Sequence, residues 1–483
     1  MEYLWLILPA AVVAFLAVVL VRTLLFRPAP ETPVSPAPVS FDRDKVVEDM
    51  VAMVRCKTVS YREAALVDWG EFAKFQALLK ERFPLVHQHC TLEKTGLTPG
   101  NTGLLYRLPG RQSDKPTVLM SHYDVVPVEE DGWSRPAFDG LVEDGYIWGR
   151  GTLDTKGTLC GVLEALETRL AQGYVPENDL YLAFSGEEEI DGGSCPAIVR
   201  WLEERSITPA LVVDEGGAVV DHVFPGVDRR CALIGTAEKG SVNLNFTLAS
   251  GGGHSSTPPP HTILGQLSRA VTRIEDSPFR RQLTQPVREM FDTLGRHSDF
   301  LYRMIFANLW CFAPVLDMVC KKSGGELNAL MRTTVAVTRM EGSRAYNVLP
   351  PKASFGINMR LLGEDTIDSA TAYLHKVMGN EAIQSELVTG MNPSPCSDTH
   401  CEAWDTLCAA ISETWTDAIV SPYLMMACSD SRHYCRITDK VYRFSAMYMS
   451  KETRGLVHGH DERVKIEALL ETVEFYIRLL DKV

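Results

Sequence analysis

The chain has 483 residues, 45% hydrophobic and 23% charged, a globular composition that rules out wholesale disorder. At roughly 150 residues per domain it predicts about three structural units, or two larger ones. Acidic residues number 62 against 48 basic, a net charge of −14 with no basic stripe, which argues against a nucleic-acid-binding protein.

Tyr3 to Val21 is a run of nineteen uncharged residues, interrupted only by Pro9. At about 1.5 Å per residue it spans roughly 28 Å, close to the hydrocarbon thickness of a bilayer. Its positive charges, Arg22 and Arg27, follow the run instead of preceding it, which disfavours a cleaved signal peptide. The pattern predicts a membrane anchor over residues 1–27 with a cytoplasmic catalytic part. An atypical signal peptide, and hence secretion, is the alternative. Residues 28–40 hold five prolines (28, 30, 33, 36 and 38) and read as an extended polyproline-type linker.

Helical spacing runs from Asp42 to Phe83, with Val46, Val47, Met50, Val51 and Val54 on one stripe. Short apolar runs then alternate with helices. Strands are predicted at Thr117–Met120, Leu180–Phe184 and Ala210–Val213, and helices at Thr155–Gln172 and Cys195–Arg205, followed by a last helix at Val464–Leu480. This alternation predicts an α/β unit with a mixed, largely parallel sheet. From Ala237 onward strict apolar–polar alternation appears at Ser241–Ala249, Thr333–Thr338 and Ala353–Leu361, with helices at Thr262–Glu275 and Thr366–Val377. That texture predicts a small α+β unit inserted at 239–390 into a catalytic unit formed by 41–238 and 391–483. Residues 280–330 read as helical and aromatic-rich without an assigned place. Twelve cysteines between Cys56 and Cys435 form no CxxC pair and read as reduced, mostly buried thiols.

Four short clusters place metal-ligand side chains at predicted strand ends. They are Ser121-His122-Tyr123-Asp124, the glycine-rich Gly149–Gly157 with Asp154, Glu187-Glu188-Glu189, and Asp214-Glu215-Gly216-Gly217. Downstream comes His458-Gly459-His460-Asp461-Glu462. Singly, each has an ordinary structural reading as a polar turn, a helix cap or a solvated acidic loop. Together they supply the N/O ligands that zinc prefers, enough for two metals about 3.5–4 Å apart, with a carboxylate left over as general base.

The stretches SHYDVVPVEEDGW, GRGTLDTKG, FSGEEEIDGG, VVDEGG and SGGGHSSTPPP resemble the signatures of the co-catalytic di-zinc peptidases of metallopeptidase family 20. The match runs from about residue 42 to the C-terminus and looks closest to the carboxypeptidase S and N-acyl amino acid hydrolase branch, with aminoacylase-1 in the same family. The resemblance implies a zinc-dependent exopeptidase-like catalytic domain with an inserted lid and dimerisation domain. It implies two Zn²⁺ per chain, replaceable by Co²⁺ or Mn²⁺. His122 would bind one ion, Asp154 would bridge both, and Glu189 with His458 would hold the second. Glu215, with Asp214 as alternative, would complete the first, and His460 competes with His458. Asp124 would orient His122, and Glu188 would be the general base, although Glu187 stands where the family usually has Asp. His254 would stabilise the oxyanion from a partner subunit, which implies a homodimer. Asn347 and Arg360 match substrate-holding positions, the Arg360 fork suiting a free α-carboxylate, and Arg432 is a further candidate. The implied activity is hydrolysis of a C-terminal peptide bond or of an N-acyl amino acid. An aminopeptidase or dipeptidase of the same family and an inactive binding relative are the alternatives.

Overall fold

A computed structural model describes residues 4–30, 34–96, 100 and 102–483. The start of the expected anchor (residues 1–3) and residues 31–33 of the expected linker lie outside the described residues.

The large core is an eight-stranded mixed sheet in the order Thr91–Thr95, Gly103–Leu108, Asn178–Ser185, Gln112–His122, Leu211–Val220, Val441–Met449, Cys231–Glu238 and Ile419–Met425. Its centre is parallel: Gln112–His122 pairs with both Asn178–Ser185 and Leu211–Val220, and Leu211–Val220 also pairs with Val441–Met449. The strand cores are continuous apolar runs because helices cover both faces. Lys156–Ala171 and Ile466–Leu480 pack on one face, and Ser194–Glu204 buries Cys195, Ile198, Val199 and Leu202 on the other. Parallel strands end at the same edge of such a sheet, and that edge is where open α/β sheets bind ligands.

The predicted strand at Ala210–Val213 is longer than its apolar run. Leu211–Val220 leaves Gln112–His122 after Val213, continues beside Val441–Met449 and joins Cys231–Glu238 through Val219 and Val220. Gly216 makes this possible with φ 141°, and a Cβ on Gly217 would sit 1.8 Å from the Leu233 carbonyl oxygen. Asp214 and Glu215 therefore lie inside a bent strand, not beyond its end.

The second unit is an antiparallel sheet in the order Thr334–Glu341, Lys352–Leu361, Gly240–Ala249 and Gln384–Met391. Helices Ile263–Asp276 and Ile367–Met378 cover one face and close a separate core around Leu244, Phe246, Leu267, Phe355, Ile357 and Leu374. Packing corrects the extent of the insert drawn at 239–390. Helices Gln285–His297, Phe300–Ala307 and Leu309–Ser323 bury Val287, Phe291, Leu294, Phe306 and Cys320 in the large core, with Gln285–His297 against Ile419–Met425. The small sheet's helical face is already covered by its own two helices, so the apolar stripe of Gln285–His297 finds its partner on the large sheet.

Candidate metal centre

His122 closes its strand, and its imidazole points along the sheet edge. Nδ1 lies 3.0 Å from the Asp124 backbone oxygen, which can only accept, so Nδ1 carries the hydrogen and Nε2 faces the cluster. Nε2 lies 2.9 Å from Asp154 Oδ1 and 3.5 Å from Glu215 Oε1. The other Asp154 oxygen, Oδ2, lies 2.9 Å from His458 Nε2, which is itself 3.1 Å from Glu189 Oε2. One carboxylate thus stands between two imidazoles, the placement expected of a bridging ligand. Among the described residues, two overlapping donor groups form, His122–Glu188–Glu215 and His122–Asp154–Glu189, each with its ligand atoms within 4.8 Å of one another. His458 holds its position with φ 60°, a left-handed conformation uncommon outside glycine.

The surrounding residues fix these donors. Asp124 does more than face His122, with its carboxylate 3.4 Å from Nδ1. It also accepts from the backbone N–H groups of Glu188 (3.1 Å) and Glu189 (3.2 Å) and from the Ser60 hydroxyl (2.7 Å), so it shapes the acidic loop. Glu462, which the sequence reading left without a role, accepts from Arg150 Nη1 (2.7 Å), Gly151 N (3.1 Å), Leu153 N (2.8 Å) and Asp154 N (3.3 Å). Its position at the end of the His458–Glu462 run was the available signal. The Asp154–Thr155 peptide is cis.

The electrostatics mark this as a cation site. Burial pushes the carboxyls of Glu188, Glu189 and Glu215 above the ordinary range, with neighbouring carboxylates adding to the rise. Burial opposes charge on His122, but Glu215 and the hydrogen bonds to Asp124 and Asp154 outweigh it and raise that imidazole. Hydrogen bonds donated to Asp154 and Glu189 carry His458 up to about 10, and the two histidines in turn hold Asp154 low despite its burial. Glu189 Oε1 is buried with no hydrogen-bond partner. Converging, desolvated carboxylates with an orphaned oxygen are stabilised when divalent ions sit among them, so the residues fit a two-metal centre of N and O ligands.

The expected site residues do not all converge. Asp214 is buried, its Oδ2 accepting from Ser431 N at 3.0 Å, and Glu215 is the member of the pair that faces His122. His460 packs against Gly132 and not the cluster. Arg360 lines the same cavity as the donors, whereas Arg432 donates to the Asn392 carbonyl at 2.6 Å and lies off its wall. His254 and Asn347 are both exposed, on a turn of the small unit held by the Gly253–His254 and Val348–Leu349 pairing and by Ser255 N to the Asn347 oxygen. Neither lines the cavity in a single chain, among the described residues.

The cavity holds about 1030 Å³. Asp154, Glu188, Glu189, Glu215 and His458 form one wall, and Val220, Leu233, Tyr423, Met425, Met449 and Val457 form an apolar stretch of the rest.

Comparison with known proteins gives the family. The model of the Peptidase family M20/M25/M40 matches residues 118–482. A carboxypeptidase S-like protein of Dictyostelium discoideum is 34% identical over 88% of this chain and 82% of its own length. An N-fatty-acyl-amino acid synthase/hydrolase of Xenopus tropicalis is 34% identical over 91% of this chain and 86% of its own. In fold, an M20 family metallo-carboxypeptidase of Sulfolobus solfataricus superposes with a TM-score of 0.64 at 17% identity, covering 90% of this chain and 98% of that one. A dinuclear metal-binding M20 peptidase of Bacillus subtilis does so at 0.53 and 11%, covering 91% and 99%. The chain belongs to peptidase family M20/M25/M40, a family of metal-dependent hydrolases.

Proposed function

We propose that this chain hydrolyses the amide bond of N-acyl amino acids, or of peptides at their C-terminal residue, at a pair of zinc ions. The observation that carries the reading is one cavity lined by the carboxylate–imidazole cluster, by an apolar set (Val220, Leu233, Tyr423, Met425, Met449 and Val457) and by Arg360. His122, Asp154 and Glu215 would hold one ion, and Asp154, Glu189 and His458 the other. Bound there, the metals supply Lewis acidity toward the amide carbonyl and make water acidic enough to attack near neutral pH.

The chain's own residues do the rest. Glu188, whose Oε2 stands 4.0 Å from His122 Nε2, takes the proton of the attacking water and passes it to the leaving amine. Arg360 receives the free carboxylate of the amino acid part, which fixes the amide against the cluster. Val220, Leu233, Tyr423, Met425, Met449 and Val457 exclude water and accept an apolar acyl chain, at about 0.8 kcal/mol per buried methylene. His254 and Asn347 would come to the site from a second copy of the chain, which makes the working form a homodimer. The apolar helix Leu4–Leu25 would anchor the enzyme to a membrane.

Glu188→Gln tests the central step. It removes the base while keeping the metal ligands, so kcat on an N-acyl amino acid falls by about 10²–10⁴ with metal content unchanged. Wild-type turnover in that variant refutes the assignment.

A further inference from the structure

Outside the cavity, two apolar helical surfaces are exposed side by side among the described residues. One is the helix Leu4–Leu25, whose Leu8–Leu25 window has a mean hydropathy of 2.4 and is 11% buried. The other is the helix pair Phe300–Ala307 and Leu309–Ser323, bent by 110° at Asn308, which exposes Leu301 (60%), Trp310 (57%), Met318 (64%) and Val319 (53%). These surfaces are contiguous. The Phe15 and Trp310 rings meet edge to face at 5.6 Å, and Asn308 Nδ2 donates to Val19 O and Thr23 Oγ1, both at 3.2 Å.

We propose that the helix pair 300–323 lies within one leaflet of a lipid bilayer beside the N-terminal helix, forming a second membrane contact that seats the catalytic unit on the membrane surface. Three observations select lipid as the occupant. Wherever the N-terminal helix inserts, the pair packed against it must follow. The break between the two helices is also satisfied internally: Arg22 donates twice to the Ala307 oxygen, at 3.2 and 3.1 Å, and Asn308 Nδ2 donates to the Met304 oxygen at 2.9 Å. A helix break needs such partners where there is no water to supply them. Finally, Lys321 and Lys322 close the second helix; Lys321 pairs with Asp317 at 3.1 Å, and Lys322 is exposed, free to reach lipid headgroups as the helix leaves the apolar layer.

Length sets the depth. The helices of 8 and 15 residues measure roughly 12 and 22 Å, and with their sharp bend they do not cross a hydrocarbon layer of about 30 Å. Their named contacts with the N-terminal helix fall between Phe15 and Thr23, the half nearest the folded unit, so the pair lies in the leaflet on that side. The seating reaches the cavity. His222 and Val223 line it, the next residue, Phe224, packs on Phe306 at 4.6 Å between ring centroids, and the Gly226 oxygen accepts from Asp299 N at 2.8 Å.

The inference rests on the membrane reading of the N-terminal helix, and one experiment separates the two. A diazirine amino acid is placed singly at Leu301, Met318, Val319, Phe15, Leu66 or Val388 in the full chain, which is reconstituted into phosphatidylcholine–phosphatidylserine vesicles and irradiated. The proposal requires lipid adducts at Leu301, Met318 and Val319 at a level comparable with Phe15, and background at Leu66 and Val388, which are exposed on other faces. Adducts at Phe15 but at none of the three overturn the proposal and leave the anchor standing; adducts at none of the four overturn both. Cross-links from 301, 318 and 319 to a second copy of this chain, without lipid, also overturn it, since the face is then a subunit interface.

Discussion

Glu462 and Asp154 are 308 residues apart in the chain, yet the Glu462 carboxylate accepts from the Asp154 backbone N–H at 3.3 Å while the Asp154 side chain stands between His122 and His458. The same carboxylate binds Arg150 in a fully buried ion pair and takes two more backbone N–H groups of the 150–154 loop. The glycine-rich loop that carries the Asp154 carboxylate is thus held by an acid from the far end of the sequence.

Glu462→Gln should therefore weaken the centre without touching a ligand. The amide keeps the side chain's size but turns two N–H donors toward backbone N–H groups and leaves Arg150 without its counter-charge. Metal affinity should fall by about 10–100-fold, measured by competition with a chelator, with activity recovering at high zinc. An unchanged affinity contradicts the positioning role.

The proposed contribution of His254 from a second subunit has its own test. Glu188→Gln leaves His254 intact, and His254→Ala leaves Glu188 intact. If His254 acts across a dimer, two separately inactive variants regain activity when co-expressed, because a mixed dimer contains one complete site. Failure to regain activity in a demonstrated mixed dimer shows that His254 does not act across a subunit interface.

Lys239 offers a pH signature away from the metal ligands. Its ammonium is buried against the carbonyl oxygens of Ala329 and Arg332, both at 2.9 Å, and burial, with the Arg360 charge adding, lowers its pKa to about 7. Between that value and the ordinary value of about 10.4, the unfolded chain binds a proton that the folded protein has released. Stability then rises with pH across this window, by up to about 1.4 kcal/mol per unit, while below pH 7 the full burial penalty is felt. Lys239→Met should flatten the rise in Tm between about pH 7.5 and 9.5. A slope equal to the wild-type one removes Lys239 as its source.

Much of this architecture is legible in the sequence because it is written in local patterns. Continuous apolar runs such as Leu180–Phe184 and alternating ones such as Val242–Leu248 fix the two sheet types, and His122 closes its strand as its apolar run leads one to expect. What the sequence conceals depends on long-range packing. Glu462 looks like one more acid in a polar run until Arg150 is brought beside it. The sequence favours Glu215 but leaves Asp214 as an alternative, and the alternation of a bent strand sends Asp214 toward Ser431 and Glu215 toward His122. The helices of residues 285–323 carry an apolar stripe that suits either unit, and the free face of the large sheet decides.

The most direct measurement of the central claim is the metal content of the purified full chain, by mass spectrometry, with N-acyl amino acid hydrolysis followed through chelation and re-addition. A two-metal hydrolase holds about two divalent ions per chain, loses activity to chelator and regains it with zinc, cobalt or manganese. A chain that binds no metal after chelator-free preparation, and stays inactive when zinc or cobalt is added, contradicts the two-metal reading.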